Sequence, residues 1–520
     1  MTIMDKDDSI LENKNKTKKK VTKKKTVKKH PLFYKLLSFI LIIITLIMLG
    51  LLIINDIFSI GYLIPIVLVV LLIVFANSFI LNKNHLRNWV KNIFSFFSIL
   101  IIILDLLMIF FGTSTLRFLS NITDTGYRVE TFGVYVLKSS NYNNIKDLKK
   151  KSIKYLDHED DTSIREAIGK IRKKVDIDVD YDDNVEKLIN SLVSGDVDAI
   201  LIDISYDELI MEEFNSIYTQ LKLVDTIDIV TNIDTIESDA DITKDPFIIY
   251  LSGIDTKGNV QSKARSDVNL LLAVNPKTKN ILMINTPRDY YVTLNSKKKK
   301  DKLTHAGIFG VEESLHTLED LYDTDIDYYA RINFTSFVSI VNAIDGIKVN
   351  VPKSFCEQDS NRSFNKNDLI CLNKGYQTLN GEQALALARH RKTFATGDVA
   401  RGENQMMVLQ AIINKALSPK IISKYDRLIS ALEGKVSTNM TTKEMIKFAT
   451  KQKNKDNDWK FSSLSAKGTN SSAVCFSTGS SKSYVMEPDM ESLNTIRKSL
   501  DNLFEGKDNI IETTTTTIKE

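Results

Sequence analysis

The residues best suited to chemistry in this chain are arginines that stand at the ends of predicted elements, with carboxylates nearby. Arg288 follows an apolar run at 280–285 that is typical of a buried strand. Arg389 and Arg391 follow a predicted helix, and Arg401 lies near the start of the next one. A guanidinium stays charged and can donate two parallel hydrogen bonds to one anionic group. We therefore predict that these residues bind a phosphate.

The spacing of these side chains favours a shared site. Arg389 and Arg391 are two residues apart, so in an extended chain both point to one side and His390 points to the other. Arg401 and Gln405 are four apart on a predicted helix and share a face, close to a helix N-terminus that favours anions. Any one of these arginines could instead form a surface ion pair, and it is the whole set that indicates a site.

Two aspartates are candidate metal ligands. Asp255 is predicted to follow one strand and Asp267 to precede another, with Arg265 close to Asp267 in sequence. Two carboxylates beside bound phosphate suit Mg²⁺, and general base toward an acceptor hydroxyl is the alternative role for one of them. Asp289 and Asp398 are predicted to orient arginines or to cap helices.

Serine-hydrolase chemistry is disfavoured. The chain has no Gly-x-Ser-x-Gly sequence, which such enzymes use to present the nucleophile. His305 is a possible acid or base by residue type, but its position at a predicted helix start favours a structural hydrogen bond.

Three apolar runs precede the residues discussed so far, at 36–54, 60–81 and 93–111. Each approaches the roughly 20 residues that a helix needs to cross a bilayer, so we predict three transmembrane helices within residues 32–112. Asp105 is the acid inside the third run. We favour a helix–helix contact or a snorkelling position for it over a functional intramembrane acid.

The charge pattern predicts the orientation of these helices. Residues 1–31 are rich in lysine and poor in apolar residues, which is typical of a disordered tail, and no aromatic residues are interleaved to suggest nucleic-acid binding. The loop at 83–91 is also basic. By the positive-inside rule, both segments face the cytoplasm, and everything after residue 113 lies outside the plasma membrane.

The chain has 520 residues, which is too long for one domain. Strands and helices alternate over 121–243, so we predict a small α/β accessory domain with a parallel sheet and a structural or interaction role. Its segments at 144–156 and 188–203 resemble lobes of periplasmic-type solute-binding proteins. We predict an α/β catalytic domain, a mixed sheet flanked by helices, over 244–505, and a disordered tail over 506–520.

Several elements of the catalytic domain are predicted from local patterns. They are a hairpin of strands 268–274 and 280–285, a helix over 311–322, a helix over 382–388 with Asn380 as its cap, and a helix from Asp398 to about residue 417.

The three cysteines are Cys356, Cys371 and Cys475. The first two flank a polar stretch, and a location outside the membrane permits a disulfide between them. Two free buried thiols are the alternative, and the spacing is not that of a zinc site.

Seven short motifs lie between residues 246 and 417. They are Gly253-Ile254-Asp255, Arg265-Ser266-Asp267, Pro287-Arg288-Asp289, Leu303-Thr304-His305-Ala306-Gly307, Leu379-Asn380-Gly381, Arg389-His390-Arg391, and Asp398 with Arg401 and Gln405. Together they resemble the LytR-CpsA-Psr family of Gram-positive cell-envelope proteins. The three predicted spans and the accessory domain resemble its capsule-type branch.

The resemblance implies an enzyme that moves a glycopolymer, of capsule or teichoic-acid type, from a polyprenyl-pyrophosphate carrier to peptidoglycan. It implies Mg²⁺ held by Asp255 and Asp267, and a pyrophosphate-binding set of Arg265, Arg288, Arg389, Arg391, Arg401 and Gln405. The catalytic residues would be Asp255, Asp267, Arg288, Arg389, Arg391 and Arg401. Its partners would be this lipid-linked glycopolymer, peptidoglycan and the lipid bilayer, with capsule-assembly proteins as an open question and no nucleic acid.

A polyprenyl tail also needs an apolar groove. The helices predicted at 334–344 and 406–417 have aliphatic faces that could line one, although core packing would explain each residue alone. A non-catalytic lipid-pyrophosphate-binding regulator or scaffold of capsule assembly, and a phosphatase that releases the polymer to water, stay open as alternatives.

Overall fold

The structure is a computed structural model. It describes residues 31–54, 60–83, 85–123, 126–157, 162–232, 236, 238, 240–254, 260–360, 365, 368–394, 397–416, 424–452 and 459–507. Apart from Pro31, the predicted basic tail lies outside the described residues, as do Asp255 and residues 508–520 of the predicted C-terminal tail. The chain divides into two compact units, one formed by the N-terminal helices up to residue 109 and one formed mainly by residues from 110 onward.

Three long apolar helices form the N-terminal part: α1 (Pro31–Ile54), α2 (Ile60–Asn82) and α3 (Asn88–Ile122). By length and composition, each is able to span a membrane, as predicted. Asp105 of α3 is buried and accepts a hydrogen bond from the Thr45 hydroxyl of α1 at 2.6 Å. The predicted helix–helix contact is therefore confirmed. Helix α3 continues beyond residue 112, because an apolar run marks the part suited to lipid and not the end of the helix.

The segment predicted to be an accessory domain forms a five-stranded sheet of its own, with helices on both faces. Its elements are β1 (Tyr127–Leu137), a 3₁₀ helix (Ile145–Leu148), β2 (Lys151–Leu156), α4 (Thr162–Lys174), β3 (Ile177–Asp182), α5 (Val185–Val193), β4 (Ala199–Asp203), a 3₁₀ helix (Ile204–Tyr206), α6 (Asp207–Glu213), α7 (Asn215–Tyr218) and β5 (Leu221–Asn232). Side chains alternate between two cores, so that Val134 of β1 packs toward α4 and Tyr135 packs toward α5.

The sheet of the accessory domain is mixed, with strand order β3-β2-β4-β1-β5. Strands β2, β3 and β4 are parallel, but β1 is antiparallel to both β4 and β5. The prediction of a parallel sheet is therefore wrong for β1. The segment from β1 to β2 contains only a 3₁₀ helix and no crossover helix, so the chain simply reverses direction.

The second domain contains a six-stranded mixed sheet, with strand order β16-β11-β6-β7-β8-β17. Its elements are β6 (Phe247–Ile254), β7 (Ser266–Asn275), β8 (Asn280–Asn285), β9 (Tyr291–Thr293), β10 (Lys300–Lys302), α8 (Leu303–Ala306), α9 (Val311–Tyr322), β11 (Tyr328–Asn333), α10 (Phe334–Ala343), β12 (Ile347–Val351), β13 (Phe355–Glu357), β14 (Ile370–Leu372), β15 (Gly375–Leu379), α11 (Gly381–Arg389), α12 (Asp398–Ala416), α13 (Tyr425–Leu432), β16 (Val436–Thr438), α14 (Thr442–Gln452), β17 (Lys460–Ser465), β18 (Gly468–Val474), β19 (Lys482–Pro488) and α15 (Met490–Phe504).

Helices cover both faces of this sheet, which confirms the predicted fold class. Alternate residues of β7 pack to opposite sides: Leu271 lies in a core with α9 and α15, and Leu272 lies in a core with α12. Strand β11 is parallel to β6 and β17 is parallel to β8, whereas β7 and β8 form the predicted antiparallel hairpin. Helices α10, α11 and α12 pack around a further core that includes the strands β12 to β15.

Candidate active site

A cavity of about 840 Å³ lies beside β6 and β7, between helices α10, α11 and α12. One part of its lining is apolar and comes mainly from two helices. Helix α10 contributes Phe334, Phe337 and Ile340, and α12 contributes Val408, Leu409 and Ile412. The prediction that aliphatic faces of these two helices line a groove is confirmed, and the groove is large enough for part of a hydrocarbon chain.

The other part of the lining is polar and holds nearly all of the predicted site residues. They are Arg265, Asp267, Arg288, Arg389, Arg391, Arg401 and Gln405. Asp255 lies outside the described residues, directly after Ile254, the last residue of β6. The fold thus brings together side chains that are more than a hundred residues apart in sequence.

A β-bulge marks the position of Asp267. Along the antiparallel ladder of β6 and β7, Gly253 pairs with Val268 and Ile254 pairs with Ser266, so Asp267 is the extra residue. A bulge bends its strand locally and re-aims a side chain, and bulges of this kind are common next to active sites. Asp267 lines the cavity.

Asp267 is held as a carboxylate by the arginines around it. Its Oδ1 accepts hydrogen bonds from Arg288 Nη1 at 3.0 Å and from Thr304 Oγ1 at 3.2 Å. Burial opposes ionisation of Asp267, but the charges of Arg288, Arg265 and Arg401 outweigh it and hold its pKa well below the usual range. Asp267 is therefore an anion at any physiological pH.

Arg265 is buried, Arg288 is largely buried, and both bind carboxylates of the accessory domain. Arg288 Nη2 donates to Glu212 Oε1 at 2.7 Å, and Arg265 donates to Glu212 and, at 3.4 Å, to Glu208. Arg288 Nε also lies 3.7 Å from Asp289 Oδ2, in keeping with the predicted orienting role of that aspartate. Sequence analysis missed both glutamates, although their i,i+4 spacing on a short acidic helix was visible.

Arg389 and Arg391 both line the cavity, whereas His390 is buried on the other side of the chain. The backbone at His390 is extended, as the prediction required. Its imidazole stacks on Phe355 with ring centroids 3.9 Å apart, and its Nδ1 lies 2.9 Å from Glu357 Oε2. The predicted division of the three side chains is thus confirmed.

Helix α12 presents Arg401 and Gln405 to the cavity, and its Gly402 packs against the Asn285 side chain of β8. A Cβ atom on Gly402 would stand 1.9 Å from Asn285 Nδ2, so a larger residue would push the helix away. Helix α12 begins at Asp398, as predicted, but the Asp398 side chain lies outside the described part of the structure.

The segment that leads to Arg265 is held by a buried arginine that sequence analysis missed. Arg331 of β11 donates to the carbonyl oxygens of Ser262 at 2.8 Å and Ala264 at 3.1 Å. Burial lowers the pKa of Arg331 to about 10, which still leaves it charged at neutral pH. A lone arginine inside an apolar strand was the signal that could have revealed it.

His305 has the structural role that was predicted. It is buried, and its Nδ1 lies 2.7 Å from Asp301 Oδ1 and 2.8 Å from Ser477 Oγ. A serine-hydrolase relay needs the serine on one ring nitrogen and the carboxylate on the other. Here both contact the same nitrogen, so this network is not such a relay.

Cys356 and Cys371 form a disulfide between the paired strands β13 and β14, and Cys475 is a buried free thiol. Between the two interpretations of the cysteine pair, the structure favours the disulfide. Glu357, which follows Cys356, lines the cavity, so the bridge braces one wall of the site.

Removing the disulfide should destabilise this domain. In the double variant Cys356→Ser with Cys371→Ser, we expect the free energy of unfolding to fall by about 3 kcal/mol, because a bridge that closes a loop of about 15 residues restricts the unfolded chain by that amount. The thermal unfolding midpoint measures this. Reducing agent should lower the midpoint of the wild type and leave that of the double variant unchanged, and equal midpoints for the two oxidised proteins would contradict the prediction.

The predicted metal site is only partly visible. Within the described ranges, no group of three or more His, Cys, Asp or Glu side chains is arranged to hold a metal ion. The donor chemistry nevertheless fits Mg²⁺, because Asp267 is an ionised carboxylate whose two hydrogen bonds from described residues both go to Oδ1. The second predicted ligand, Asp255, follows the strand paired with β7.

The family model described as the LytR_cpsA_psr family matches residues 213–499, over half of the chain. This chain belongs to the LytR-CpsA-Psr family. The resemblance predicted from seven short motifs is therefore confirmed, and the matched region contains all of the predicted site residues.

The named relatives are polyisoprenyl-teichoic acid–peptidoglycan teichoic acid transferases. TagU of Bacillus licheniformis is 37% identical over 202 residues, which are 39% of this chain and 62% of that protein. TagT of Bacillus subtilis is 38% identical over 207 residues, or 39% and 63% of the two chains. TagU of Bacillus subtilis is 31% identical over 258 residues, or 49% and 78%. For the first two relatives, the match spans less than two thirds of their length.

Solved structures of the family are similar as well. TagV of Bacillus subtilis is 31% identical with a TM-score of 0.42, covering 50% of this chain and 98% of that one. The YwtF (TagT) protein with bound octaprenyl pyrophosphate lipid is 29% identical with a TM-score of 0.38, covering 52% and 94%.

Proposed function

We propose that this protein transfers a glycopolymer, of capsule or teichoic-acid type, from a polyprenyl-pyrophosphate carrier to peptidoglycan outside the membrane. One observation carries the proposal: a single cavity joins a cluster of arginines to an apolar groove. A pyrophosphate on a polyprenyl chain needs both features in one site. The names of the relatives, which are transferases acting on polyisoprenyl-linked teichoic acid, support the same substrate class.

The arginines would bind and stabilise the pyrophosphate. Charge on phosphoryl oxygens spreads during transfer, and catalysis depends mainly on positioning and on fixed donors aimed at that charge. Arg288, Arg389, Arg391 and Arg401 are assigned to this role, with Gln405 in support and Arg265 at the edge. The acceptor hydroxyl would attack the phosphorus that carries the glycopolymer, and the bond to the lipid phosphate would break.

We further propose that Mg²⁺ is held by Asp267 together with Asp255. When bound, it would neutralise charge on the pyrophosphate oxygens and leave the arginines to orient them. The rival assignment for one of these aspartates is general base toward the acceptor hydroxyl, and a carboxylate that holds a metal is a poor base.

The proposal is tested with purified full-length protein, Mg²⁺, a lipid-linked oligosaccharide and a muropeptide acceptor. Transfer of the oligosaccharide to the muropeptide, with release of lipid phosphate, is the expected result. Release of the oligosaccharide to water would instead support a phosphatase. Retention of the lipid without reaction would support a regulator or scaffold of capsule assembly.

Orientation in the membrane gives a separate prediction. Single cysteines in place of Asn141 and Tyr376, both exposed, should react with an impermeant thiol reagent in intact cells. The background should be low, because Cys475 is buried and the other two cysteines are bridged. A cysteine in place of Lys83, in the loop predicted to be cytoplasmic, is the matched control and should be protected. Protection of the first two positions would overturn the proposed topology.

A further inference from the structure

The accessory domain reaches into the candidate active site with one carboxylate. Glu212 of α6 lines the cavity, where it accepts a hydrogen bond from Arg288 Nη2 at 2.7 Å and another from Arg265. These are two of the arginines assigned to the pyrophosphate. A bound pyrophosphate oxygen and the Glu212 carboxylate would therefore require the same donors.

The fold holds α6 in this position from both sides. Leu209 and Ile210 are buried in the core of the accessory domain, so the opposite, acidic face of the helix points toward the catalytic domain. Glu213, next to Glu212, binds Lys302 Nζ at 2.6 Å and accepts a hydrogen bond from Ser483 Oγ at 2.9 Å. The contact of Glu212 with the two arginines is thus one of several ion pairs and hydrogen bonds between the two domains.

Glu212 is charged under all ordinary conditions. Burial opposes its ionisation, but the charges of Arg288 and Arg265 outweigh burial and lower its pKa to about 2. A carboxylate that is always ionised competes with a bound anion at every physiological pH.

We propose that Glu212 is an internal competitor for the pyrophosphate head group: it occupies Arg265 and Arg288 in the free protein and must leave them before the lipid binds. This proposal rests on the proposed function, because it takes the two arginines to be part of the pyrophosphate site. The accessory domain thereby sets the affinity of the catalytic domain for its lipid substrate.

The exposures of the three side chains make this exchange feasible. The Glu212 side chain is 39% exposed, whereas those of Arg265 and Arg288 are 4% and 10% exposed. Glu212 can turn toward solvent while the arginines stay in place. Each arginine keeps another carboxylate partner, Glu208 for Arg265 and Asp267 for Arg288. The charge of each guanidinium therefore stays paired when Glu212 leaves.

Such a competitor lowers the apparent affinity for the lipid pyrophosphate. The intrinsic affinity is multiplied by the fraction of the protein in which Glu212 does not occupy the two arginines. If the arginines are free about one tenth of the time, the apparent affinity is about tenfold weaker than the intrinsic one. A positioning role for Glu212 predicts the opposite result. If Glu212 held the arginines in place for the substrate, its removal would weaken substrate binding.

The test compares the wild-type full chain with Glu212→Gln by calorimetric titration of geranyl pyrophosphate at one fixed salt concentration, since salt screens such contacts. We expect Glu212→Gln to bind geranyl pyrophosphate about tenfold more tightly than the wild type does.

Glu186→Gln is the matched control. Glu186 also joins the accessory domain to the catalytic domain, accepting from Ser480 and Ser481, and it does not contact the two arginines. The affinity of Glu186→Gln for geranyl pyrophosphate should equal that of the wild type.

Geraniol, which has the same apolar chain without the phosphates, completes the design. Its affinity should be the same in the wild type and in Glu212→Gln, because it does not compete for the arginines. If Glu212→Gln also bound geraniol more tightly than the wild type, the substitution would merely have enlarged the cavity, and the proposal would be overturned. Equal or weaker binding of geranyl pyrophosphate by Glu212→Gln would also overturn it and leave the proposed function standing. If no variant binds geranyl pyrophosphate, both proposals fall.

Discussion

Replacing either Arg389 or Arg391 by lysine is expected to slow glycopolymer transfer by roughly two to three orders of magnitude. Lysine keeps the charge but loses the planar fork that grips two oxygens at once. Arg389 is also held in place for its task, with Nη1 donating to the Asp359 carbonyl at 3.2 Å and its guanidinium over the Phe334 ring at 5.2 Å. The single-turnover rate of transfer to a muropeptide measures the effect.

The matched control is Arg427→Lys, made on a surface arginine of the same domain. The Arg427 side chain is 59% exposed and pairs with Asp345 at 3.1 Å. A surface ion pair is worth only about 0–1 kcal/mol, so the rate should stay within a factor of a few of the wild type. If Arg389→Lys and Arg391→Lys behaved like this control, the two arginines would not contact the reacting phosphates.

Much of the fold could be predicted because its signals are local. The spacing of apolar residues predicts helix α9 at its observed bounds, Val311–Tyr322, and it predicts helix α12, which the structure describes as Asp398–Ala416. Asn380 was predicted to cap α11, and its side chain accepts from the Gln383 backbone N–H at 3.0 Å. Each of these features depends on a few neighbouring residues and not on the rest of the chain.

The site was predicted in two steps of different kinds. Local spacing indicated that Arg389 and Arg391 share one side and that Arg401 and Gln405 share another. That these pairs also meet Arg288 was predicted from the set of arginines at element ends and from the family resemblance, not from local spacing. No local rule connects residues more than a hundred positions apart, and it is the order of strands in the sheet that brings them together.

The missed features all depend on contacts between distant segments. The parallel sheet expected for the accessory domain is mixed, because strand pairing depends on which strands meet and not on their individual patterns. Glu212 meets Arg265 and Arg288 across a domain interface. An acidic helix of seven residues is most simply a solvated one when only its sequence is known.

Asp267→Asn should remove most of the transfer activity, a loss of roughly two to three orders of magnitude. Asparagine has nearly the same shape but no charge, so it would bind Mg²⁺ poorly and stabilise Arg288 less. We expect the fold to survive, because Arg288 keeps Glu212 at 2.7 Å and Asp289 at 3.7 Å. A second measurement separates the metal from the ion pair: Mg²⁺ should tighten the binding of geranyl pyrophosphate to the wild type and not to Asp267→Asn.

Asp289→Asn provides the control for that measurement. Asp289 is buried beside the same arginine but outside the lining of the cavity, so its substitution weakens the partner set of Arg288 without removing a metal ligand. Its affinity for geranyl pyrophosphate should still respond to Mg²⁺, whatever its transfer rate. Asp255→Ala, in contrast, should lose the Mg²⁺ response as Asp267→Asn does. If Mg²⁺ tightened binding equally in all four proteins, neither Asp255 nor Asp267 would hold the metal, and Asp267 would be only a charge partner of Arg288.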